Sequence, residues 1–276
     1  MSVMNSINTN SGAMIALQNL NSTNSELASV QNRVSTGLRV ASAQDDGASF
    51  AIAQGLRSDV KGIGAVNEQI SKAKGLVSTT ISSLSSVSDG LGDIRETLTK
   101  MADENNSAEQ FDQYKADYDS QLAELQNYVD NAEYNGTNLI DAGGADVNVI
   151  ADSGGTQYTL AAVDIDAQLA GISDPVDAAT AQGLIDGGTD TSFHDAVGAV
   201  NDALNTFAGD DRRLTGQMEF NSKLSDAIEE GLGATVDADL AKESARLQSL
   251  QIKQQLGTQT LGIANQSPQI LLSLFG

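Results

Sequence analysis

His194 is the single histidine of the chain and cysteine is absent, so the side chains that most often carry nucleophilic or metal chemistry are nearly missing. A Ser-His-Asp arrangement would have to rest on that one imidazole, a two-histidine zinc motif is excluded, and no thiolate exists to act as nucleophile, ligand or disulfide half. Within Thr191-Ser-Phe-His-Asp195 the histidine sits where a helix begins, which predicts a solvated or capping role. Carboxylates are abundant, but no Asp-x-Asp-x-Asp-Gly loop closed by a glutamate appears, so the calcium-loop pattern is not met. Asp164 and Asp166 read as alternate positions of a strand and hence as a hydrated acidic face. Gly62-Ile-Gly64 and Gly231-Leu-Gly233 lie inside helical pattern rather than after a strand, so neither is a phosphate cradle. They read instead as weak points or close-approach sites, at about 1 kcal/mol each relative to alanine. Asn21-Ser-Thr23 and Asn135-Gly-Thr137 match a glycosylation acceptor only as short strings that arise readily by chance. The chain reads as a non-enzyme with no cofactor and no metal.

The elements around these residues carry more information. From Met1 to Asn32 the only ionisable side chain is Glu26, while Ala13, Leu17, Leu20, Leu27, Val30 and Val34 mark one face at spacings of three, four and seven. Near the other end Val236, Leu240, Leu247, Leu250, Leu261, Leu271 and Phe275 repeat the pattern. Such stripes fit the template in which apolar positions recur about every 3.5 residues and pack into a partner helix. They are read here as a polymerisation seam.

Between the ends, a first helix over about Asn10 to Val34 gives way to a polar, glycine-punctuated connector, residues 35–47. Arg33, Arg39, Asp45 and Asp46 are the groups expected to pair in or around it. From Ala48 to Met101 the apolar positions hold helical spacing for about 50 residues, a helix of roughly 75 Å at 1.5 Å rise. Only Pro175 and Pro268 could interrupt helices in the whole chain. Ser107 with Gln110 resembles a capping box ahead of a third helix through Val129. Asn135-Gly136 supplies a tight turn, and Val147–Ile150 with Gln157–Ala162 are short strands separated by Asp152-Ser-Gly-Gly155. Residues 171–190 read as loops with one short helix. From Thr191 the helical pattern returns and continues into the C-terminal stripe.

The predicted fold is mainly α with a small β insert: an elongated α-helical coiled-coil rod with the N- and C-termini paired. Its parts are residues 1–34 with 236–276 as a terminal coiled-coil domain, the connector, residues 48–140 with 191–235 as a long-helix inner domain, and 141–190 as a short acidic outer insert. Aromatics make up only 4% of the chain, so packing must come from Leu, Ile, Val and Ala, which suits helix-on-helix contacts better than a deep ligand pocket.

Charge excludes further classes. There are 15 basic against 37 acidic residues, a net charge of −22 with no basic stripe, which argues against a nucleic-acid partner. Between Asp141 and Asp211 stand thirteen Asp and no Lys, Arg or Glu, so this segment is expected at a solvent-facing surface rather than in a core. No window approaches eighteen consecutive apolar residues, so no membrane insertion is expected. Met1 to Asn10 has neither a cationic head nor an apolar run, and the first basic residue is Arg33, so any export would use a route other than a cleaved signal.

Several ordered motifs resemble the flagellin family. Ser6-Ile-Asn-Thr-Asn10, Arg33-Val-Ser-Thr-Gly-Leu-Arg39, Ser42-Ala-Gln-Asp-Asp46 and Ala51-Ile-Ala53 are similar to its N-terminal signature. Tyr134-Asn-Gly-Thr-Asn-Leu-Ile140 resembles the turn closing its N-terminal helical block, and Asn265-Gln-Ser-Pro-Gln-Ile-Leu-Leu-Ser-Leu-Phe275 its C-terminus. Departures are Val34 for the usual Leu, Ala41 for a common Asn, and Gly47-Ala-Ser-Phe50 for the more usual Ala-Ala-Gly-Leu. The resemblance implies a subunit of the extracellular flagellar filament, secreted without a cleaved signal through the type III channel of the flagellum. The terminal helices would lie in an inner tube, the long helices around it and the middle of the chain outward. It also implies as partners other flagellin copies, hook-junction and cap proteins, a cytoplasmic export chaperone and the export apparatus. One histidine rules out the metallopeptidase that some members carry. The pattern read by an innate receptor falls near Leu98-Thr-Lys100, which does not supply it. Other readings are a hook–filament junction protein of the same superfamily and, from a different class, a metal-binding adhesin.

Ordering about 35 residues at each end costs about 1–2 kcal/mol per residue in backbone entropy. A seam buried on one side only offsets too little of this at about 25 cal/mol per Å². The ends are therefore expected to be largely disordered in a monomer and to fold when neighbours supply the missing walls. Ser153, Thr156, Thr189, Thr191 and Ser192 are candidate positions for hydroxyl-linked modification through expected exposure.

Overall fold

A computed structural model describes residues 9–275, and side chains through residue 266. Helix α1 (Ser11–Thr36) starts at Asn10, whose side chain accepts from the Ala13 N–H, and stops at Gly37 in the left-handed conformation, φ 73°, whose N–H returns to the Arg33 carbonyl. Glycine fits that stop because it lacks the Cβ that penalises positive φ. Helix α2 (Gly47–Met101) runs 55 residues unbroken. Helix α3 (Ala108–Asp130) opens with the capping box expected: the Ser107 hydroxyl accepts from Gln110 N–H, and Gln110 accepts from Ser107 N–H. Asn135 and Gly136 both take positive φ, 53° and 79°, and turn β1 (Glu133–Tyr134) into β2 (Thr137–Asn138). Strands β3 (Val147–Ile150) and β4 (Gln157–Leu160) form a second antiparallel hairpin, Val147 opposite Leu160 and Ile150 opposite Gln157.

Short helices α4 (Ile165–Ala170) and α5 (Ala178–Asp186) follow, then α6 (Ser192–Val236) and α7 (Leu240–Phe275). One expectation is corrected here. Asp164 and Asp166 are not strand positions: the Asp164 carboxylate accepts from the Ala167 N–H at 2.8 Å and starts α4, with Asp166 in its first turn. Between α6 and α7 the helical pattern is interrupted at residues 237–239. It stops at Val236 because the connector takes that carbonyl, and restarts where Asp239 accepts from the Ala241 and Lys242 N–H groups at 3.0 and 3.1 Å.

The chain divides into two compact units: residues up to Ser58 with those from Ala227 onward, and Asp59–Asp226. In the second, one core joins Ile70, Val77, Leu84, Leu91 and Leu98 of α2 to Tyr118, Leu125 and Val129 of α3 and Phe193, Val200 and Phe207 of α6. The acidic segment contributes to the same core through Val149, Leu160, Ile165, Leu169, Ile172, Ala181 and Leu184, so it is not solvent-facing as a whole; most of its carboxylates are exposed or half-buried, while Asp210 is buried and accepts from the Tyr158 hydroxyl. The reason is the period: the aspartates alternate with apolar residues that the long helices can cover. His194 is exposed at the start of α6, its ring edge-on to Phe193, as its position predicted.

Candidate assembly site

Within the first unit, α1 and α7 pack antiparallel along their lengths. Asn10 Nδ2 donates to the Ala264 carbonyl at 2.8 Å, Gln254 Nε2 to Asn24 Oδ1 at 2.8 Å, and Arg33 pairs with Glu243 at 3.6 Å, so ascending numbers on one helix meet descending numbers on the other. Ala13, Leu20, Leu27, Val30 and Val34 of α1 lie on one buried or half-buried face, as do Leu247, Leu250 and Leu261 of α7. Gly257 sits beside Leu20: a Cβ placed there would stand 3.2 Å from Leu20 Cδ1. A larger residue there would have to push the Leu20 side chain aside by a few tenths of an ångström.

Two stripe residues fall elsewhere. Leu17 is 47% exposed, because at about 100° per residue it lies roughly a quarter-turn from the line through Ala16, Leu20 and Leu27. Leu240, 49% exposed, is the first residue of α7. Val236 belongs to a different cluster, with Val40 and Ala53 and with Leu38, Phe50 and Leu232 around them. The side chains of Leu271 and Phe275 lie outside the described residues.

Sequence reasoning missed a second apolar stripe on α7. Ile252, Leu256 and Ile263 are 58%, 56% and 69% exposed and, at spacings of four and seven, share one face. That face is opposite the one bearing Leu250, Leu261 and Ala264. Met14 and Ile15 of α1 are likewise open, at 64% and 60%. A helix apolar on both faces belongs inside a larger packing, since one partner covers only one face. The signal was present in the sequence as a second set of residues at helical spacing.

Of the four connector residues, Arg33 pairs with Glu243 of α7, while Arg39, Asp45 and Asp46 bond to backbone groups. The Arg39 and Val40 N–H groups donate to the Val236 carbonyl at 2.7 and 3.2 Å, Ala238 N–H to the Gly37 carbonyl at 2.9 Å, and Arg39 Nη2 to the Thr235 carbonyl at 2.5 Å. Asp45 Oδ2 accepts from the N–H groups of Ala41 and Ser42 and from the Ser42 hydroxyl. Asp46 caps α2, accepting from the N–H groups of Ala48 and Ser49 and from the Ser49 hydroxyl at 2.7 Å. Hydrogen bonds from Ser42 hold the Asp45 carboxyl below the usual carboxylate range, and those from Ser49 do the same for Asp46.

Of the candidate modification positions, Ser153, Thr156, Thr189 and Thr191 are exposed. Ser192 is half-buried, its hydroxyl accepting from the Ser173 N–H at 3.0 Å. Among the described residues no group of three or more His, Asp or Glu is placed to hold a metal ion, and no helix is long and apolar enough to cross a membrane.

Paired terminal helices with apolar residues on their open faces define a structural subunit that associates with further helices. The family model for the bacterial flagellin N-terminal helical region matches residues 7–144, and that for the C-terminal helical region residues 196–275. Flagellin FljK of Caulobacter vibrioides is 40% identical over 277 residues, covering 99% of each chain. Two solved structures share the fold. Bacillus cereus flagellin gives a TM-score of 0.51 at 24% identity, over 55% of this chain and 88% of that one. A structure named for a flagellar hook-associated protein from Vibrio parahaemolyticus gives 0.55 at 16%, over 70% and 100%. The chain belongs to the bacterial flagellin family, and its function is that of a filament subunit.

Proposed function

We propose that the outward faces of α1 and α7 are the surfaces by which one copy joins the next during growth of an extracellular filament used for swimming. The carrying observation is the open stripe Ile252, Leu256 and Ile263, on the face of α7 opposite its contact with α1. Contacts of this head-to-tail kind, when the rotation between copies does not close, give a helical polymer rather than a ring. The buried stripe Leu20, Leu27, Val30 and Val34 against Leu247, Leu250 and Leu261 then serves the pair within each copy, and Leu17 and Leu240 join the open set.

In this reading the chain leaves the cell unfolded through the flagellar type III apparatus, without a cleaved signal, and a cytoplasmic chaperone covers the C-terminal stripe beforehand. An exposed apolar stripe is an aggregation hazard until covered, which supports that partner. Hook-junction and cap proteins would meet the same faces at the two ends of the polymer. Exposed Ser153, Thr156, Thr189 and Thr191 would accept hydroxyl-linked sugars, and Ser192 less readily. Leu98 is fully buried and Lys100 is engaged by Glu96 at 2.7 Å, consistent with weak recognition by an innate receptor reading that region.

Leu256→Glu places a carboxylate on the open stripe without touching the α1 contact. Purified protein with this change should keep its helical circular dichroism and fail to sediment as filaments. Normal filaments in electron micrographs of the variant would discard the open stripe as the joining surface.

A further inference from the structure

Among the described residues α1 carries only two ionisable side chains, Glu26 and Arg33. Arg33 faces Glu243 at 3.6 Å, with side-chain exposures of 29% and 11%. The pair is incompletely satisfied: Arg33 Nε and Glu243 Oε2 are both buried without a hydrogen-bond partner. A half-desolvated ion pair with unmet groups adds little to stability, and an apolar pair of similar volume often does better. The second interhelical pair, Arg246 with Glu26 at 3.8 Å, is about half exposed at both ends and weaker still.

We infer that Arg33 and Glu243 set the register of α1 against α7, making them specificity-determining residues for assembly. An apolar stripe at three-, four- and seven-residue spacing is nearly self-similar after a slide of one heptad, so the leucines alone do not select one alignment. The charges do. Sliding α7 by seven residues one way carries Glu243 to the level of Glu26, carboxylate against carboxylate. The opposite slide sets Arg33 at the level of Leu250, which is 3% exposed, and leaves a guanidinium without its partner. Both wrong alignments bury an uncompensated or repelled charge, whereas the observed one pairs it. A subunit in the wrong register would present Ile252, Leu256 and Ile263 one or two turns out of place, so the inference rests on the joining surface proposed above.

The chain has no cysteine, so introduced pairs report register directly. A Cβ at Gly257 would lie 3.9 Å from Leu20 Cβ, within disulfide range. Leu20→Cys with Gly257→Cys reports the observed alignment. Leu20→Cys with Leu250→Cys, and Leu20→Cys with Ala264→Cys, report the two slides. Each pair is oxidised in the full chain mixed as a minor component into unmodified protein under filament-forming conditions, and intramolecular products are separated from dimers by gel mobility in both pellet and supernatant. With Arg33 and Glu243 present, the Gly257 pair should exceed either slid pair by about tenfold or more. In Arg33→Leu with Glu243→Leu, helicity should be retained while the slid products rise to within about threefold of the Gly257 product. Continued dominance of the Gly257 product in that variant overturns the inference, in whichever fraction it is found. Absence of filaments from the unmodified protein would instead remove the joining-surface reading, and the ratio of products would still decide register.

Discussion

Asn10 serves two helices at once: its Oδ1 accepts from the Ala13 N–H at 3.0 Å to start α1, and its Nδ2 donates to the Ala264 carbonyl of α7 at 2.8 Å. The start of one terminal helix is thereby tied to a point far along the other. Asn10→Ala removes the cap and the tie together and should weaken this end of the pair by about 1–2 kcal/mol. Asn10→Asp keeps an acceptor at the cap and loses only the donor, so it should recover about half. Amide hydrogen exchange in assembled protein tests this at Gly12 to Ala16: unchanged protection in Asn10→Ala would show the tie to be idle.

Leu27 faces α7 from the buried stripe of α1, in the first unit, with none of the second unit's core around it. Leu27→Asp sets an unpaired carboxylate into that contact, a change in the class that costs several kcal/mol. Filaments should be lost while the thermal transition of residues 59–226 stays within about 1 °C of the unmodified protein. Wild-type filaments from this variant would remove Leu27 from the contact between the terminal helices.

Two glycines of α2 separate close approach from simple weakness. A Cβ at Gly90 would overlap Leu125 Cδ2, whereas one at Gly64 meets nothing within 4 Å. Gly90→Ala should therefore destabilise the second unit by about 1–3 kcal/mol through overpacking. Gly64→Ala should stabilise it by about 1 kcal/mol through helix propensity. Opposite shifts of Tm in a calorimeter check the pair, and a stable Gly90→Ala variant would mean that Leu125 has somewhere to move. Of the glycines in Gly62-Ile-Gly64 and Gly231-Leu-Gly233, expected as weak points or close-approach sites, Gly64 and Gly231 have open space around them, Gly62 makes only an ordinary contact at 3.5 Å with Ser153 Cβ, and at Gly233 a Cβ would stand 2.8 Å from Asp237 Oδ2. The tight contacts of the long helix are at Gly75, against Tyr134, and at Gly90.

What could be read from the sequence was whatever a residue and its near neighbours decide. The start of α3 at Ser107, the turn at Asn135-Gly136 and the extents of α1 and α2 follow from caps, glycine and apolar period, which act within one or two turns of helix. The end of α6 depends on Arg39 and Val40, which meet Val236 from nearly 200 residues away in the chain, and no local signal announces it. Asp164 was misread because a carboxylate before an apolar residue serves equally at a strand edge and at a helix start. The candidate site was half legible. One stripe on each terminal helix is visible in the sequence, but Glu243 sits within the α7 stripe as a charge among leucines, so apolar spacing alone does not reveal it.

Acid should loosen the connector. The folded-state values of Asp45 and Asp46 are lowered from 3.8 by hydrogen bonds from Ser42 and Ser49 respectively. A carboxyl whose value is lower in the folded state than in the unfolded one contributes stability that is fully present above the unfolded value. That contribution is lost as pH falls through the folded value, so the window here lies below about 4. Asp46→Asn keeps an oxygen that can accept from the Ala48 and Ser49 N–H groups and removes the titration. Filaments of Asp46→Asn should therefore start to dissociate at lower pH than unmodified ones, while at pH 7 the two should be equally stable or the variant slightly less so. Light scattering across pH 5 to about 2 measures the onset. An onset in Asp46→Asn at the same pH as in the unmodified protein would show that Asp46 takes no part in the acid transition and that other carboxylates govern it.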